Sequence, residues 1–235
     1  MNARRPATPA GRILAALFGC TLAASVCAQV PPDAKEIAAY TGIFAAAARG
    51  DAGEVSRLAA AGTDVNARES YERTPLHVAT FGRHRDAIAA LAKNRADLNL
   101  KERDRYDAVT IAAVADDAAT LKTLLQLGAS AKQITSRYDG TALIAAAHLG
   151  HDEVVKLLIE AGAPLDHVNN LGWTALIESI VLGQGGPRHV ATLTALVRAG
   201  ANVNLADRNG QTPLQLARQR RYQAMTTVLE QAGAK

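Results

Sequence analysis

The chain has 235 residues, of which 49% are apolar and 20% are charged, with 26 basic residues against 22 acidic ones. This composition excludes an intrinsically disordered chain, which would have fewer apolar residues and a larger charge imbalance. Aromatic residues make up only 4%, so a folded core must be built from small aliphatic side chains. Whether the net charge of +4 indicates an anionic partner depends on where the basic residues lie.

Residues 1–28 have the three-part form of a secretory signal peptide. They contain three arginines and no acidic residue, with an apolar run over residues 13–26 and then Ala28 before Gln29. The run is shorter than the roughly 20 residues that a permanent membrane helix needs. We predict cleavage between Ala28 and Gln29, and with it a periplasmic location in a bacterium.

Two other interpretations of this leader remain open. A twin-arginine signal would use residues 4–5, but Pro6 and the absence of an apolar pair after it favour the general secretory route. A lipid-anchored cysteine would be Cys20 or Cys27, but bulky residues stand where a small one is wanted. A lipid-anchored or secreted product is therefore the alternative to a free periplasmic protein.

Without residues 1–28 the chain keeps 23 basic and 22 acidic residues and has no cysteine. The remaining net charge of +1 gives no reason to expect a nucleic-acid partner. A chain without cysteine has no disulfide, no thiol nucleophile and no cysteine-based zinc site. No stable membrane span is predicted after removal of the leader.

A repeat with a period close to 33 residues accounts for nearly all of the chain after the leader. One series places a glycine, followed by Ala or Thr, at Gly62, Gly128, Gly162, Gly200 and Gly233. Arg95 stands where one further member of this series would be. A second series in phase with it has Thr-Pro-Leu-His or a related sequence at 74–77, 108–111, 141–144, 174–177 and 212–215. The two series indicate the same period independently.

At these residues the chain resembles the ankyrin-repeat family, whose repeat begins with Thr-Pro-Leu-His-x-Ala and ends with Gly-Ala-Asp-Val-Asn. The match is most complete over residues 141–166. The resemblance implies an all-α solenoid of about six helix–turn–helix repeats with short β-hairpin-like fingers. We expect an N-terminal linker or cap at 29–37 and a repeat domain at 38–235. Its repeats would be 38–69, 70–103, 104–136, 137–169, 170–207 and 208–235.

The residues of the motifs also predict two short helices per repeat on physical grounds. Thr74 supplies an N-cap hydroxyl, and Pro75 stands at the first helical position, where no backbone N–H is needed. The apolar residues within 154–158 recur on one face of a second helix, which Gly162 ends. One such pair is too small to bury its apolar face, so neighbouring pairs must stack. The fingers that join them are expected at 66–73, 99–107, 133–140, 167–173 and 204–211.

Three departures from the repeat also have a structural interpretation. Polar residues in the first and last repeats suit the outer faces of a solenoid. Residues 183–187 lengthen the turn between the helices of repeat five, which loops tolerate at low cost. Arg95 would place a side chain at a left-handed helix end, which costs about 1 kcal/mol relative to glycine.

No common catalytic motif, phosphate loop or dinucleotide fingerprint is present in the sequence, so we expect a non-enzymatic protein with no cofactor and no metal. His148 and His151 lie three residues apart, but two histidines without a third ligand make a poor zinc site. His77 matches the motif histidine that ties a finger to its neighbour. Glu178 lies in an otherwise apolar first helix, and we interpret it as a hydrogen-bonded structural residue.

The resemblance implies a partner surface on the concave side, formed by the finger tips and the exposed side of the first helices. Carried over repeat by repeat, it comprises Tyr71, Arg73, Phe81, Arg105, Tyr106, Tyr138, His148, Leu171, Trp173, Asn209 and Gln211. Tyrosine, tryptophan and arginine dominate the energetics of protein interfaces, which supports a binding role. The alternative is that Tyr71, Tyr138 and Trp173 only brace neighbouring fingers.

The predicted function is that of an exported, monomeric, non-enzymatic scaffold that binds a protein partner through this surface. A refinement is that the partner is an exported enzyme or toxin that the chain protects or inhibits. One alternative is a hydrolase or metal-dependent enzyme that uses His148, His151 and Glu178 on a repeat scaffold. Another is a cytosolic or host-delivered interaction protein, for which residues 1–28 are not a leader.

Overall fold

Six pairs of helices follow one another along residues 29–235, the part of the chain that the computed structural model describes. The predicted leader, with Ala28 at its end, lies outside the described residues. A short helix, α1 (Ala34–Ala39), precedes the pairs. The first three pairs are α2 (Gly42–Arg49) with α3 (Ala52–Ala60), α4 (Pro75–Phe81) with α5 (Arg85–Lys93), and α6 (Ala108–Val114) with α7 (Ala118–Gln126). The last three are α8 (Ala142–Leu149) with α9 (Asp152–Glu160), α10 (Ala175–Val181) with α11 (Pro187–Arg198), and α12 (Pro213–Gln219) with α13 (Gln223–Gln231).

The helices stack in two rows, as the repeat pattern predicts. The first helix of each pair, here called an inner helix, packs against the inner helices of the neighbouring pairs. The second, outer helices pack against one another in the same way. Each pair therefore buries its apolar faces against its own partner and against the next pair, and the predicted all-α ankyrin-repeat fold is confirmed.

Small side chains fill the contact between inner helices. One position per repeat carries alanine or serine with at most 1% of its surface exposed: Ala46, Ala79, Ala112, Ala146, Ser179 and Ala217. The outer helices have a larger buried residue in the last turns of each repeat after the first, namely Leu91, Leu124, Leu158, Leu196 and Leu229. Burial of one such leucine contributes about 2 kcal/mol. The low aromatic content therefore matches a core of small and aliphatic side chains.

Each inner helix begins at a residue with a short polar side chain, in five repeats a threonine. The hydroxyl of Thr141 accepts the N–H of Ile144 at 3.2 Å, and that of Thr174 accepts the N–H of Ile177 at 3.2 Å. Asp107 replaces threonine in repeat three, and its carboxylate accepts the N–H of Thr110 at 2.7 Å. These bonds satisfy backbone donors that the first helical turn leaves free.

His77 joins an inner helix to the next finger and is fully buried. Its Nδ1 lies 3.0 Å from the backbone N of Thr74, and its Nε2 lies 3.0 Å from the carbonyl oxygen of Leu100. Because Nδ1 accepts a backbone N–H, the ring proton is on Nε2, which donates to Leu100. The expected role of this histidine is therefore confirmed. Burial lowers the pKa of His77 to about 4, so the ring stays neutral in the folded protein.

We expect His77→Gln to reduce the loss of stability on acidification. In the unfolded chain the imidazole takes up a proton below its ordinary pKa of 6.5, whereas the folded protein takes it up only near pH 4. Stability is therefore full above pH 6.5 and falls as the pH is lowered through this window, by about 2 kcal/mol between pH 7 and pH 5. Urea unfolding at the two pH values measures the difference between wild type and variant.

Glutamine is a suitable replacement because repeat six has it at the equivalent position. There the side chain of Gln215 accepts the N–H of Thr212 at 2.9 Å, which is the contact that His77 makes with Thr74. The variant keeps this cap, but its side chain at position 77 does not titrate. Equal pH dependence of the two proteins would contradict the assignment to His77.

The fingers agree with the expected β-hairpin geometry at one place only. In the described residues, β1 (Ile134–Thr135) pairs with β2 (Gly140–Thr141), with Ile134 opposite Thr141. Each of the other four fingers closes with two backbone bonds of the kind that Glu69 makes, donating to the carbonyl of Arg73 at 3.1 Å and accepting the N–H of Glu72 at 2.8 Å. A turn of this length leaves too few paired residues for strands, so these fingers are tight turns.

Arg95 has the left-handed conformation that its place in the glycine series predicts. Its φ is 67°, beside values of 88° at Gly62 and 97° at Gly128. The side chain is exposed, and the backbone N–H still caps the helix by donating to Ala92 at 3.0 Å. The site therefore carries the cost of a left-handed side chain where other repeats have glycine.

We expect Arg95→Gly to raise the free energy of unfolding by about 1 kcal/mol, because glycine adopts a positive φ without steric cost. Thermal or urea unfolding provides the measurement. Arg83→Gly serves as the matched control, since Arg83 also has a positive φ of 58° but donates to the carbonyl of Ala115 at 3.1 Å. It should give a smaller gain, and no gain at Arg95 would reveal a local role for that side chain.

Candidate partner-binding surface

Backbone hydrogen bonds join neighbouring fingers into one row. The N–H of Arg103 donates to the carbonyl of Tyr71 at 3.1 Å, and the N–H of Asn170 donates to the carbonyl of Tyr138 at 2.9 Å. Between them, the N–H of Ser136 donates to the carbonyl of Arg105 at 3.1 Å. The tips of four successive fingers are therefore held side by side as a continuous surface.

A side-chain acceptor at the start of each finger fixes the shape of the turn. In the first finger Glu69 Oε1 accepts the N–H groups of Tyr71 at 2.9 Å and Arg73 at 3.0 Å. In the fourth, Asn169 Oδ1 accepts those of Leu171 and Trp173, both at 3.0 Å. Side chains that capture N–H groups two and four residues on hold a turn in one conformation. The aromatic residues on these fingers thus have fixed backbone positions.

Opposite charges pair across the fingers. Arg105 lies 2.9 Å from Asp139, and Arg137 lies 3.0 Å from Asp104, one finger apart in each case. Each of the five fingers also carries as many acidic as basic residues, seven of each in total. These exposed pairs contribute little to stability, but they leave the row electrically neutral.

Most of the predicted partner-binding residues lie on this row or beside it. Tyr71 is 38% exposed and Leu171 39%, and Arg105 and Asn209 are also exposed. The remaining residues, Phe81, Tyr138, His148, Trp173 and Gln211, are partly buried. Two guanidinium groups lie over the ring of Tyr71, that of Arg73 at 4.6 Å and that of Arg103 at 4.9 Å from its centroid, so cation–π contacts hold it in place.

Two of the predicted residues are not on the surface, which corrects the sequence-based expectation. Arg73 is 1% exposed and Tyr106 is 4% exposed. Both occupy the last position of a finger, directly before the N-cap of an inner helix. At the equivalent Gly140, an added Cβ would lie 3.8 Å from the side chain of Ile144 in α8. A Cβ at this position therefore lies beside an inner helix, but the exposure of the rest of the side chain varies, since Trp173 and Gln211 at the same position are partly buried.

His148 and Glu178 form part of a buried polar cluster below the fourth finger. Glu178 is 5% exposed, and its carboxylate accepts the amide N–H of Asn169 at 2.7 Å. The other carboxylate oxygen lies 3.3 Å from His148 Nδ1. The interpretation of Glu178 as a hydrogen-bonded structural residue is confirmed. His151 is directed elsewhere, with Nδ1 2.9 Å from the carbonyl of Ala113.

Two further features of residues 29–235 bear on function. No group of three or more histidine, aspartate or glutamate side chains there is arranged to hold a metal ion. Within the same range, every helix is too short or too polar to cross a bilayer.

Several residues of the row lie outside the set predicted from the sequence. Arg103, Asp104 and Arg137 connect neighbouring fingers, and Asn169 links the fourth finger to Glu178. A signal for one pair was present, because Asp104 and Arg137 have opposite charges at a separation equal to the repeat period. Asn169 gave no comparable signal, since its partner lies in the helix that follows.

Comparison with known proteins gives one consistent family. The sequence matches the family described as ankyrin repeats over residues 13–102 and 109–207. The ankyrin repeat protein YahD of Escherichia coli (strain K12) is 32% identical over 190 residues, which cover 80% of this chain and 94% of that protein.

Two solved structures have the same fold. A crystal structure of an ankyrin repeat domain from Acinetobacter baumannii AYE has a TM-score of 0.78 and 41% identity, covering 82% of this chain and 98% of that one. The structure of the Bdellovibrio bacteriovorus predatory endopeptidase Bd0816 in complex with immunity protein Bd3460 contains a chain with a TM-score of 0.67 and 24% identity, covering 82% and 98%. At that identity the second likeness shows the fold alone.

We expect Asn169→Ala to lower the free energy of unfolding by about 3 kcal/mol, because two finger N–H groups and the buried carboxylate of Glu178 lose a partner. Urea unfolding measures the loss. Emission from Trp173, the single tryptophan of the chain, reports the order of the finger in the folded state. Asp207→Ala is the control, since Asp207 accepts the equivalent N–H groups of Asn209 and Gln211 but has no such carboxylate below it. It should cost about 1 kcal/mol, and an equal cost in both variants would contradict the role of Glu178.

Proposed function

This chain belongs to the ankyrin-repeat family, and from that premise we propose that it is an exported, non-enzymatic scaffold that binds a protein partner through its finger row. The observation that carries the proposal is the row itself. Its tips are hydrogen-bonded to one another, and they present Tyr71, Tyr138 and Leu171 at equivalent places on the first, third and fourth fingers. A rigid surface of this kind loses little conformational entropy when a partner binds.

The kind of side chain at the tips supports protein binding over binding of a charged ligand. Each finger is neutral, and Arg105 and Arg137 are already paired with carboxylates of neighbouring fingers. The exposed Tyr71 and Leu171, on the first and fourth fingers, are aromatic and aliphatic. Burial of tyrosine and leucine side chains is a common source of affinity at protein interfaces. We therefore assign the affinity of the fingertips to apolar contact and shape.

The proposal that the chain is not an enzyme rests on the same groups that could have suggested catalysis. His148, His151 and Glu178 each have a structural hydrogen bond or ion pair within the solenoid. His148 and Glu178 are also largely buried, with side-chain exposures of 11% and 6%. A base or metal ligand must reach its substrate, and these positions give it little access.

The role of a protector or inhibitor of an exported enzyme or toxin is a finer proposal. A chain of this fold occurs in the solved complex of an endopeptidase with an immunity protein, which is compatible with such a role. Export itself is supported by the leader-like composition of residues 1–28. Mass spectrometry of the protein from a periplasmic fraction tests export, with Gln29 expected as the first residue.

The finger row is tested with the triple variant Tyr71→Ala, Tyr138→Ala and Leu171→Ala. Partners captured from the periplasm by wild type should be lost, because each substitution removes apolar contact at a fingertip. Leu127→Ala is the matched control, since Leu127 is 38% exposed at the C-cap of an outer helix and lies off the row. Circular dichroism confirms that all variants keep their helices.

A second measurement concerns ionic strength. Because every finger is neutral, the dissociation constant for the captured partner should change little between low and physiological salt. A steep salt dependence would assign recognition to charge and not to apolar contact. An unchanged partner list for the triple variant would remove the finger row as the binding surface.

A further inference from the structure

The N-terminal segment, residues 29–40, lies across the first finger and accounts for the burial of Arg73. The guanidinium donates from Nη1 to the carbonyl of Val30 at 3.2 Å and from Nη2 to Glu36 Oε1 at 2.8 Å. Its remaining bonds, from Nε and Nη2, go to Glu69 of its own finger at 3.0 and 3.3 Å. Two of the four hydrogen bonds of the Arg73 guanidinium are therefore made with chain outside the repeats.

Apart from these contacts, the N-terminal segment is weakly attached. Helix α1 has no buried residue, and Val30 and Ile37 are 52% and 43% exposed. Tyr40 at its end lies 5.6 Å from the ring of Phe44, and its hydroxyl is buried without a hydrogen-bond partner. Burial raises the pKa of Tyr40 to about 12. The segment is thus held by Arg73 near one end and by a tyrosine with an unsatisfied hydroxyl at the other.

We infer that Arg73 and Tyr71 form a recognition site for an acidic polypeptide segment, and that the N-terminal segment is its resident occupant. This inference rests on the proposed function, since it concerns one end of the same finger row. The resident contacts define what the site binds: one carboxylate and one main-chain carbonyl on an adjoining stretch of chain.

The site remains suited to a carboxylate after the N-terminal segment dissociates from Arg73. Glu69 stays on one side of Arg73 and keeps the guanidinium oriented, while Nη1 and Nη2 become free on the other. Planar donors arranged in this way bind carboxylates with two parallel hydrogen bonds. Arg103, whose guanidinium lies 4.9 Å from the Tyr71 ring, adds a second positive charge beside the site.

The N-terminal segment competes for the site with an advantage, because it is covalently connected to the finger. A short connection gives it an effective concentration in the millimolar range, so a separate acidic segment competes poorly by this contact alone. A partner that also contacts the tips of the other fingers gains additional affinity from them. The site therefore favours partners whose acidic segment adjoins an apolar contact surface.

The test uses the full chain with Glu36→Gln, which weakens the resident contact, and a synthetic peptide of residues 29–40 as the probe. Titration is followed by NMR through the Nε–H signal of Arg73 in labelled protein. We expect a saturable shift with the unaltered peptide and about tenfold weaker binding of a peptide that carries Glu36→Gln, because a charge-assisted hydrogen bond is lost.

The matched control is the full chain with Glu54→Gln, which removes an exposed pair with Arg57 and leaves the N-terminal segment in place. That protein should require more peptide for the same shift. Absence of any shift, or equal affinity of the two peptides, would overturn the inference. Neither outcome affects the fingertip variants, whose partner capture tests the proposed function separately.

Discussion

Close contact between the inner helices is the constraint on which the finger surface depends. One small residue per repeat, such as Ala79 or Ala146, lies at this contact with no exposed surface. Small side chains allow interaxial distances near the short end of the usual range of about 8–10 Å. Each finger leads directly into the N-cap of an inner helix, so the helix spacing sets the finger spacing. Only at such spacing can the N–H of Asn170 reach the carbonyl of Tyr138.

The inserted residues 183–187 allow one contact that a simple stack would lack. Repeat proteins connect mainly between nearest neighbours, yet Arg188 reaches Asp116, 72 residues earlier, at 2.8 Å. On the way it also contacts Asp152 of the intervening repeat at 3.2 Å. The side chain of Arg188 is 53% exposed, so these pairs contribute little energy individually. They do connect three repeats on the side of the helix turns, away from the fingers.

The repeat pattern predicted those features that depend on residues close in sequence or one period apart. The caps at Thr141 and Thr174 and the bridge from His77 to the next finger are of this kind. The burial of Arg73 was not predictable in this way, because the groups that cover it lie 43 and 37 residues earlier in a segment without the repeat. Equivalent positions in a repeat share backbone geometry, but a terminal segment changes their exposure individually.

The contrast between contacts set by the repeat and contacts made by the N-terminal segment divides the finger row into two parts, which differ in what a partner must do to bind. Along most of the row, charges are paired between neighbouring fingers and the turns are fixed by their own side chains, so a partner meets a surface that needs no rearrangement. At the first finger, one of the two carboxylate partners of Arg73 is supplied by chain that has few other contacts. Affinity can therefore come from the fixed tips, while access to Arg73 requires exchange of one carboxylate for another. A partner that makes both contacts is distinguished from one that makes only the first.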